Sequence, residues 1–472
     1  MGNGTGFVAG EDWVGAREAF AAELKAEFRI CFRPEDHGSL NTAPCGLQST
    51  LLASISMAKV YYGWRIVAVA FVAQAITIGL TLIPFSLFIT PLVDEFGLPV
   101  AQIQIGMGLF TLVMMGAGAG VGVLLDRFSI RVIMSAGACL IALSFLLMSV
   151  ALQPWQLGAL FGVGAGTGVA MAGPLAATTV IARWFDERRG LAMGLASMGP
   201  PFGGLVLTPA AGWLLGEMGW RVVMQVFACC ALALGPLCFL VIRNSPADVG
   251  QATDGRPIGA VPKNSGVSSK EWSAPEILRS RNFWALALGV GIVFGLGGGW
   301  NANVARFGEE LGYSGQAMST LIGIAAGLGI PSTLLLGRLA DGFAPRFLLW
   351  CCMAGNVLAF LILWTLPPFS LLVTALFIFG FAGGGFLPVY ATFIGRLFGP
   401  ASFGRVMGLG GIVMLPFGGF SPVLIGAMRD DSGSYKGALL LLAIATVLGG
   451  SFLAWIRAPR SVSLQAGEAV ES

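Results

Sequence analysis

Long uncharged apolar runs alternate along this chain with short polar links, and that rhythm predicts its elements. Twelve runs reach the roughly 20 residues that a helix needs to cross a bilayer. They lie near 64–90, 100–125, 130–152, 154–182, 189–216, 220–242, 282–306, 315–340, 346–366, 370–397, 404–428 and 437–457. Continuous apolar runs of this length predict an all-α membrane protein, because a spanning helix satisfies all its backbone groups internally. The one long connection, 243–280, is rich in Ser, Pro, Gly and charge and divides the runs six and six. The expected organisation is a tail over 1–58, a six-helix bundle over 59–242, a linker over 243–280, a second bundle over 281–458 and a tail over 459–472.

Composition sharpens this picture. The 472 residues are 56% hydrophobic and 11% charged, whereas a soluble domain carries roughly 25% charged residues. The 69 glycines and 24 prolines are spread through the apolar runs, as in membrane helices. A net charge of +3, with the basic residues in short links, leaves no stripe for nucleic acid. If the N-terminus lies inside, all of the 27 Lys and Arg fall on the cytoplasmic side except Arg221, Arg306, Arg429 and Lys436. By the positive-inside rule both termini are then cytoplasmic. Six cysteines (Cys139, Cys229, Cys230, Cys238, Cys351, Cys352) fall inside apolar runs without metal-ligand spacing and are expected as small core residues. The one histidine, His37, lies in the tail, so none is available for proton transfer in the membrane. No G-x-x-x-x-G-K-S/T loop, nucleophile–base pair or metal cluster is present, so no cofactor and no direct use of ATP is expected.

The first 58 residues read differently from the rest. Residues 11–32 predict an amphipathic helix, with Trp13, Phe20, Leu24 and Phe28 spaced around charges. Met57 precedes AKVYYGWRIVAVAF, which has a base, interfacial aromatics and then the first helix. The expectation is that translation starts at Met57; a cytoplasmic tail is the alternative.

The two sets of six repeat each other. Gly122, Asp126 and Arg131 in GVLLDRFSIR recur as Gly337, Asp341 and Arg346 in GRLADGFAPR, and Pro201–Gly204 recur as Pro416–Gly419, each at an offset of 215 residues. Two six-helix halves in parallel repeat resemble the major facilitator superfamily from about 59 to 458. The loop after helix 2 is similar to that family's G-x-x-x-D-R-x-G-R signature, with Ser129 in place of the second glycine. Its copy after helix 8 carries Gly342 in place of the arginine. The resemblance implies a gating role for Asp126, Arg127, Arg131, Arg183, Asp341 and Arg346. Such a carboxylate can cap a helix N-terminus of the other half and such arginines can bridge to acids. The bland reading is that these charges merely fix topology.

RWFDERRGLAMGLASMG from Arg183, with the later Gly219-Trp220-Arg221 and the opening YYGWRIVAVAF, resembles the monocarboxylate porter branch and its bacterial oxalate–formate exchanger relatives. That likeness implies a secondary transporter moving a small organic anion, a monocarboxylate, across the cytoplasmic membrane by alternating access. One chain holds both halves, so a monomer suffices. Gly199-Pro200 with Gly203-Gly204 also matches a G-P-x-x-G-G motif associated with drug antiporters. Export of lipophilic compounds is therefore a second reading, and a non-transporting membrane sensor a third. Porters of this branch hold their anion with a basic residue in helix 8 or 11. Here helix 8 has none before Arg338, and helix 11 none between Arg405 and Arg429.

What remains near mid-helix is uncharged: Gln74, Thr77 and Thr81 on helix 1, Thr167 and Thr178 on helix 4, Trp300, Asn301 and Asn303 on helix 7, Asn356 on helix 9 and Tyr390 on helix 10. Because helices 1, 4, 7 and 10 line the cavity in this fold, the expected substrate contacts are Gln74, Thr77, Trp300, Asn301 and Tyr390. The alternative is that these groups bond to neighbouring helices as packing glue. Arg306 is the nearest candidate for an anion ligand; the bland reading pairs it with Glu309 or Glu310 one turn on. Gly297-Gly298-Gly299 is expected to loosen helix 7 near its midpoint, and Gly383-Gly384-Gly385 before Pro388 to bend helix 10.

Overall fold

The computed structural model describes residues 61–255, 272–399 and 402–457, apart from the side chains of Ala119, Asp126 and Asp341. The expectations for the tails fall outside these residues. Among the described residues, 11 helices are long and apolar enough to cross a membrane. One of them, Arg189–Val241, runs for 53 residues, or about 80 Å at 1.5 Å per residue, against a hydrocarbon core of about 30 Å. Gly219 interrupts it with φ 77° and ψ 167°, a left-handed turn open to glycine without strain. That helix therefore makes two crossings, and the total is twelve.

We number the crossings α1 (Gly63–Phe96), α2 (Val100–Arg127), α3 (Ile130–Ser149), α4 (Pro154–Trp184), α5 (189–218) and α6 (220–241). The second set is α7 (Arg281–Asn301), α8 (Gly315–Ala340), α9 (Pro345–Trp364), α10 (Phe369–Phe398), α11 (Phe403–Ser432) and α12 (Lys436–Ala454).

Lipid gives no hydrophobic reward for joining two helices, so close backbone approach has to hold them. Glycine supplies it. A Cβ on Gly203 of α5 would stand 2.1 Å from the Ala75 carbonyl oxygen of α1, and one on Gly384 of α10 would stand 2.3 Å from Gly329 Cα of α8. Across the two sets of six, Gly419 of α11 presses on Leu112 of α2, and Gly212 of α5 on Ser319 of α8. Polar side chains add bonds where backbones meet: Ser421 of α11 donates to the Gly295 carbonyl of α7 at 2.8 Å, and Ser135 of α3 to the Gly235 carbonyl of α6 at 2.9 Å.

One expectation about breaks is corrected. α7 stays helical through Gly297–Gly299 and is interrupted only after Asn301, resuming as Val304–Glu310. Gly299 serves contact instead, since a Cβ there would lie 2.4 Å from Ser421 Oγ, whereas one on Gly298 would meet nothing within 4 Å. The break at Ala302–Asn303 is held by polar side chains. Asn303 Nδ2 bonds back to the Gly299 carbonyl at 2.9 Å, and Gln104 of α2 donates to the freed Ala302 carbonyl at 2.9 Å. α10 likewise runs as one helix through Gly383–Gly385 and Pro388. Irregularity falls elsewhere: α1 leaves the α-helix after Thr81 for a 3-10 segment, Pro84–Phe88, and α4 widens into a π turn over Leu160–Ala165. The cysteines differ too. Cys238 and Cys352 are buried, but Cys139, Cys229 and Cys351 lie on the exposed outer surface of their helices.

The glycines thus divide into contact positions and open ones, and substitution should separate them. Gly203→Leu has no room against the α1 backbone and is expected to cost about 3 kcal/mol or more. Gly194→Ala, which meets nothing within 4 Å, is expected to be neutral or mildly stabilising. Thermal unfolding in detergent, followed by size-exclusion chromatography, compares the two.

Candidate functional site

The loops after α2 and α8 mark one side of the molecule, called here the basic side; the ends of α1, α7 and α11 mark the far side. The two sets of six are tied together on the far side. Asp430, near the end of α11, accepts from the backbone N–H of Val100 at 3.3 Å and of Ala101 at 2.8 Å, the start of α2. Those N–H groups have no partner within their own helix, and the helix dipole favours a carboxylate there. Arg429 reaches both Asp430 at 3.2 Å and Glu310 at 2.7 Å.

A second tie lies beside it. Thr90, past the 3-10 segment of α1, donates to Glu309 Oε2 and accepts from Arg306 Nη1 at 3.0 Å. One hydroxyl thus joins an acid and a base of the opposite set. Arg306 also pairs with Glu310 one turn on, Nε to Oε1 3.4 Å, and that buried Nε makes no hydrogen bond. Glu309 lies outside the spanning segments, and its carboxyl is pushed above the ordinary range, chiefly by burial and further by Asp94 and Glu310. Thr90 and Arg306 oppose the shift without cancelling it.

On the basic side several glycines of the same two helices stand beside open space. α2 and α11 meet where a Cβ on Gly108 would stand 2.4 Å from the Gly419 carbonyl, whereas Cβ atoms on Gly116 and Gly122 of α2, or on Gly411, Gly408 and Gly404 of α11, would meet nothing within 4 Å. Several bonds here join residues of one set of helices. Arg183 donates to the Leu125 carbonyl ending α2 at 2.8 Å, and Arg396 to the Ala340 carbonyl ending α8 at 2.6 Å. Arg131 lies over the Phe239 ring at 5.1 Å, and Arg346 bonds to the Ile456 carbonyl beside α12. Arg127 is exposed. The side chains of Asp126 and Asp341 fall outside those described. Ser129 turns its hydroxyl to Asn244 at 3.0 Å.

The polar candidates do not converge on one pocket. Gln74 is buried and donates to the Ala196 carbonyl at 3.0 Å, bracing α1 against α5. Thr77 is buried and bonds one turn back to Ala73 at 2.7 Å. Trp300 is fully buried among Phe307, Phe360 and Tyr435, and its Nε1 has no hydrogen-bond partner. Tyr390 is buried with its hydroxyl against Gly410 of α11. Asn301 alone of the five is exposed. Of the residues that build the far-side contact, Thr90, Gln104, Arg429 and Asp430 escaped a reading centred on mid-helix polarity, whereas Glu309 and Glu310 were expected as partners of Arg306 and Glu310 is one. The available signal was charge: Glu309-Glu310 and Arg429-Asp430 stand among few charges on that side.

The sequence model of the Major Facilitator Superfamily matches residues 54–369 and 309–471. The chain is 29% identical over 425 residues to human monocarboxylate transporter 11, covering 85% of this chain and 84% of that protein. It is 26% identical over 204 residues to the oxalate:formate antiporter of Oxalobacter formigenes, covering 43% of this chain and 45% of that protein. Among solved structures it is similar to a bacterial homologue of the human lysosomal transporter Spinster in an inward-facing, unoccupied conformation. That likeness has a TM-score of 0.64 and 20% identity, and covers 84% of this chain and 95% of the other.

From the raised carboxyl at Glu309 the far-side contact is expected to depend on pH. Proton binding favours the closed arrangement over one in which Glu309 meets water. The closed arrangement is thus most favoured below the ordinary carboxyl range and loses that advantage as pH rises through the raised value. Spin labels at exposed positions 99 and 431 are expected to move apart as pH rises in protein freed of native cysteines. With Glu309→Gln they are expected to stay close at every pH; a pH response surviving that change assigns it to another group.

Proposed function

This chain belongs to the major facilitator superfamily, and from that premise we propose that it carries a small organic anion, a monocarboxylate, by alternating access. It is a multi-pass membrane transporter and not an enzyme. The observation that carries the alternating-access reading is the asymmetry of contact. Carboxylates and a threonine clamp the far side, while on the basic side a Cβ on Gly122 of α2 or on Gly404 of α11 would meet nothing within 4 Å. Rocking of residues 59–242 against 281–458 would break the first contact and form another at the signature loops. The positive-inside asymmetry supports a cytoplasmic basic side with both termini there. The carboxylate reading is supported by the likeness to porters along most of the chain and by the basic group available at the far side.

Arg306 is the proposed anion ligand in the far-open state. Its partner Thr90 belongs to the other half, so opening the far side withdraws that bond. The guanidinium, still paired through Nε with Glu310 of its own helix, would then have its Nη1 left for a substrate carboxylate. Gln74, Thr77, Trp300, Asn301 and Tyr390 would act behind it, by positioning helices that move. Asp126, Arg127, Arg131, Arg183, Asp341 and Arg346 are the proposed contacts that close the basic side.

Counterflow in proteoliposomes tests the function, loading one unlabelled compound and following entry of its labelled form. Saturable exchange is expected for a small monocarboxylate and none for its amide. Arg306→Ala is expected to weaken apparent affinity by about ten- to a hundredfold, matching roughly 1.5–3 kcal/mol for a bond to a charged group. Silence across mono- and dicarboxylates, in protein shown to be folded, would overturn the carboxylate reading.

A further inference from the structure

A cavity of about 710 Å³ lies wholly among the first six helices, away from the contact between the two sets. α1, α2, α3, α4 and α6 line it through residues such as Phe85, Phe88, Leu109, Phe145, Phe161 and Met224. No charged side chain reaches it, and Thr81 and Gln102 are its main polar groups. Its volume is that of a ligand pocket. A carboxylate buried there would meet no compensating charge.

Sequence and backbone build this space. Gly106 of α2 and Gly158 of α4 face one another where the helices cross: a Cβ on Gly106 would stand 3.5 Å from Gly158 Cα, and one on Gly158 would meet nothing within 4 Å. Just beyond, α4 widens into its π turn at Leu160–Ala165, and α1 leaves the α-helix after Thr81. Two helices therefore depart from regular α-helix geometry beside one glycine crossing. On the outer surface, Ile105 and Trp155 line the opening, 54% and 70% exposed. Trp155 begins α4 at the far side, the depth at which tryptophan anchors to the membrane interface. At the same end Arg221 pairs with Glu95 at 2.7 Å, one turn from the lining residues Met224 and Leu92.

We infer that this cavity is a binding site for the acyl chain of a phospholipid in the far-side leaflet. The opening faces hydrocarbon, so the molecule against it is lipid, and an unfilled apolar void would forfeit the dispersion contacts of its walls. The uncharged lining suits a methylene chain, the interfacial tryptophan marks the depth of its ester end, and the Arg221–Glu95 pair stands at headgroup level. Occupancy has a mechanical consequence. Phe85 and Phe88 belong to the 3-10 segment leading directly to Thr90, so a chain packed against them supports the helix end that closes the far side.

The test uses the full chain in nanodiscs whose phospholipid carries a photoactivatable diazirine at mid-chain. Adducts are expected to concentrate in 102–109 and 154–161, above the background on other lipid-facing helices. Gly158→Trp fills the space, and Gly158→Leu fills it with less bulk should the larger residue prevent folding. Displacing about two methylenes from the site is expected to lower those adducts roughly tenfold, leaving the background adducts unchanged. Adducts spread evenly over the surface, or undiminished by either filling, would sink the proposal. So would their displacement by a soluble lipophilic compound that the protein transports, which would make the cavity a substrate site.

Discussion

A carboxylate of one half set against the bare N–H groups that start a helix of the other is the contact on which the observed conformation turns. Asp430 takes two such bonds, at Val100 and Ala101, while Arg429 holds it in place from the same helix. A charge at a helix N-terminus contributes about 0.3–1 kcal/mol when exposed and up to about 2 kcal/mol when partly buried. That range suits a transporter. A contact much weaker would not hold a side shut, and one much stronger could not be released by a small substrate. Glycine contacts between α2 and α11 and between α5 and α8 bring the backbones close enough for such bonds to form.

The repeat seen in the sequence extends to the contacts themselves. Arg183 ends α4 and bonds to the Leu125 carbonyl at the end of α2; Arg396 ends α10 and bonds to the Ala340 carbonyl at the end of α8. Leu125 and Ala340 are 215 residues apart, the offset of the signature loops. In each half a cation sits at the negative end of a helix, where the dipole favours it. The first helix of each half also breaks near its far end, α1 after Thr81 and α7 after Asn301. These breaks carry Thr90 on one side and Arg306 with Glu309 on the other. The two elements that meet across the far side are therefore repeat-related, although their chemistry has diverged.

Much of this fold was legible because membrane crossing leaves a one-dimensional mark. Charge-free runs of spanning length locate the crossings, and Gly219, in the Gly-Trp-Arg between the fifth and sixth runs, is where the 53-residue helix divides. Side-chain commitments were not legible, since they depend on which helix lies opposite. Gln74 looked available but is taken by a carbonyl of α5. The glycine triplet of α7 looked like a hinge but stays helical, and its last member, Gly299, packs on Ser421 of α11. The break instead follows from Gln104, about 200 residues away, satisfying the carbonyl that the helix gives up. Asp430 and Val100 are 330 residues apart in sequence, and no local pattern announces such a pair.

The scarcity of charge in the spanning segments then has a physical reading. A porter without a basic residue at mid-membrane avoids a standing cost of about 2.5–3.5 kcal/mol for each buried charge. On the proposed carboxylate reading it must still attract an anion. Arg306 lies outside the spanning run of α7 and is held by Thr90 and Glu310 while the far side is shut. Opening that side releases the cross-half bond and hydrates the guanidinium together with Glu309, whose burial is what raises its carboxyl. The same motion therefore exposes a cation and lowers the affinity of its neighbouring acid for a proton. The proposed anion ligand Arg306 and the buried acid Glu309 are joined through one hydroxyl, Thr90, contributed by the other half.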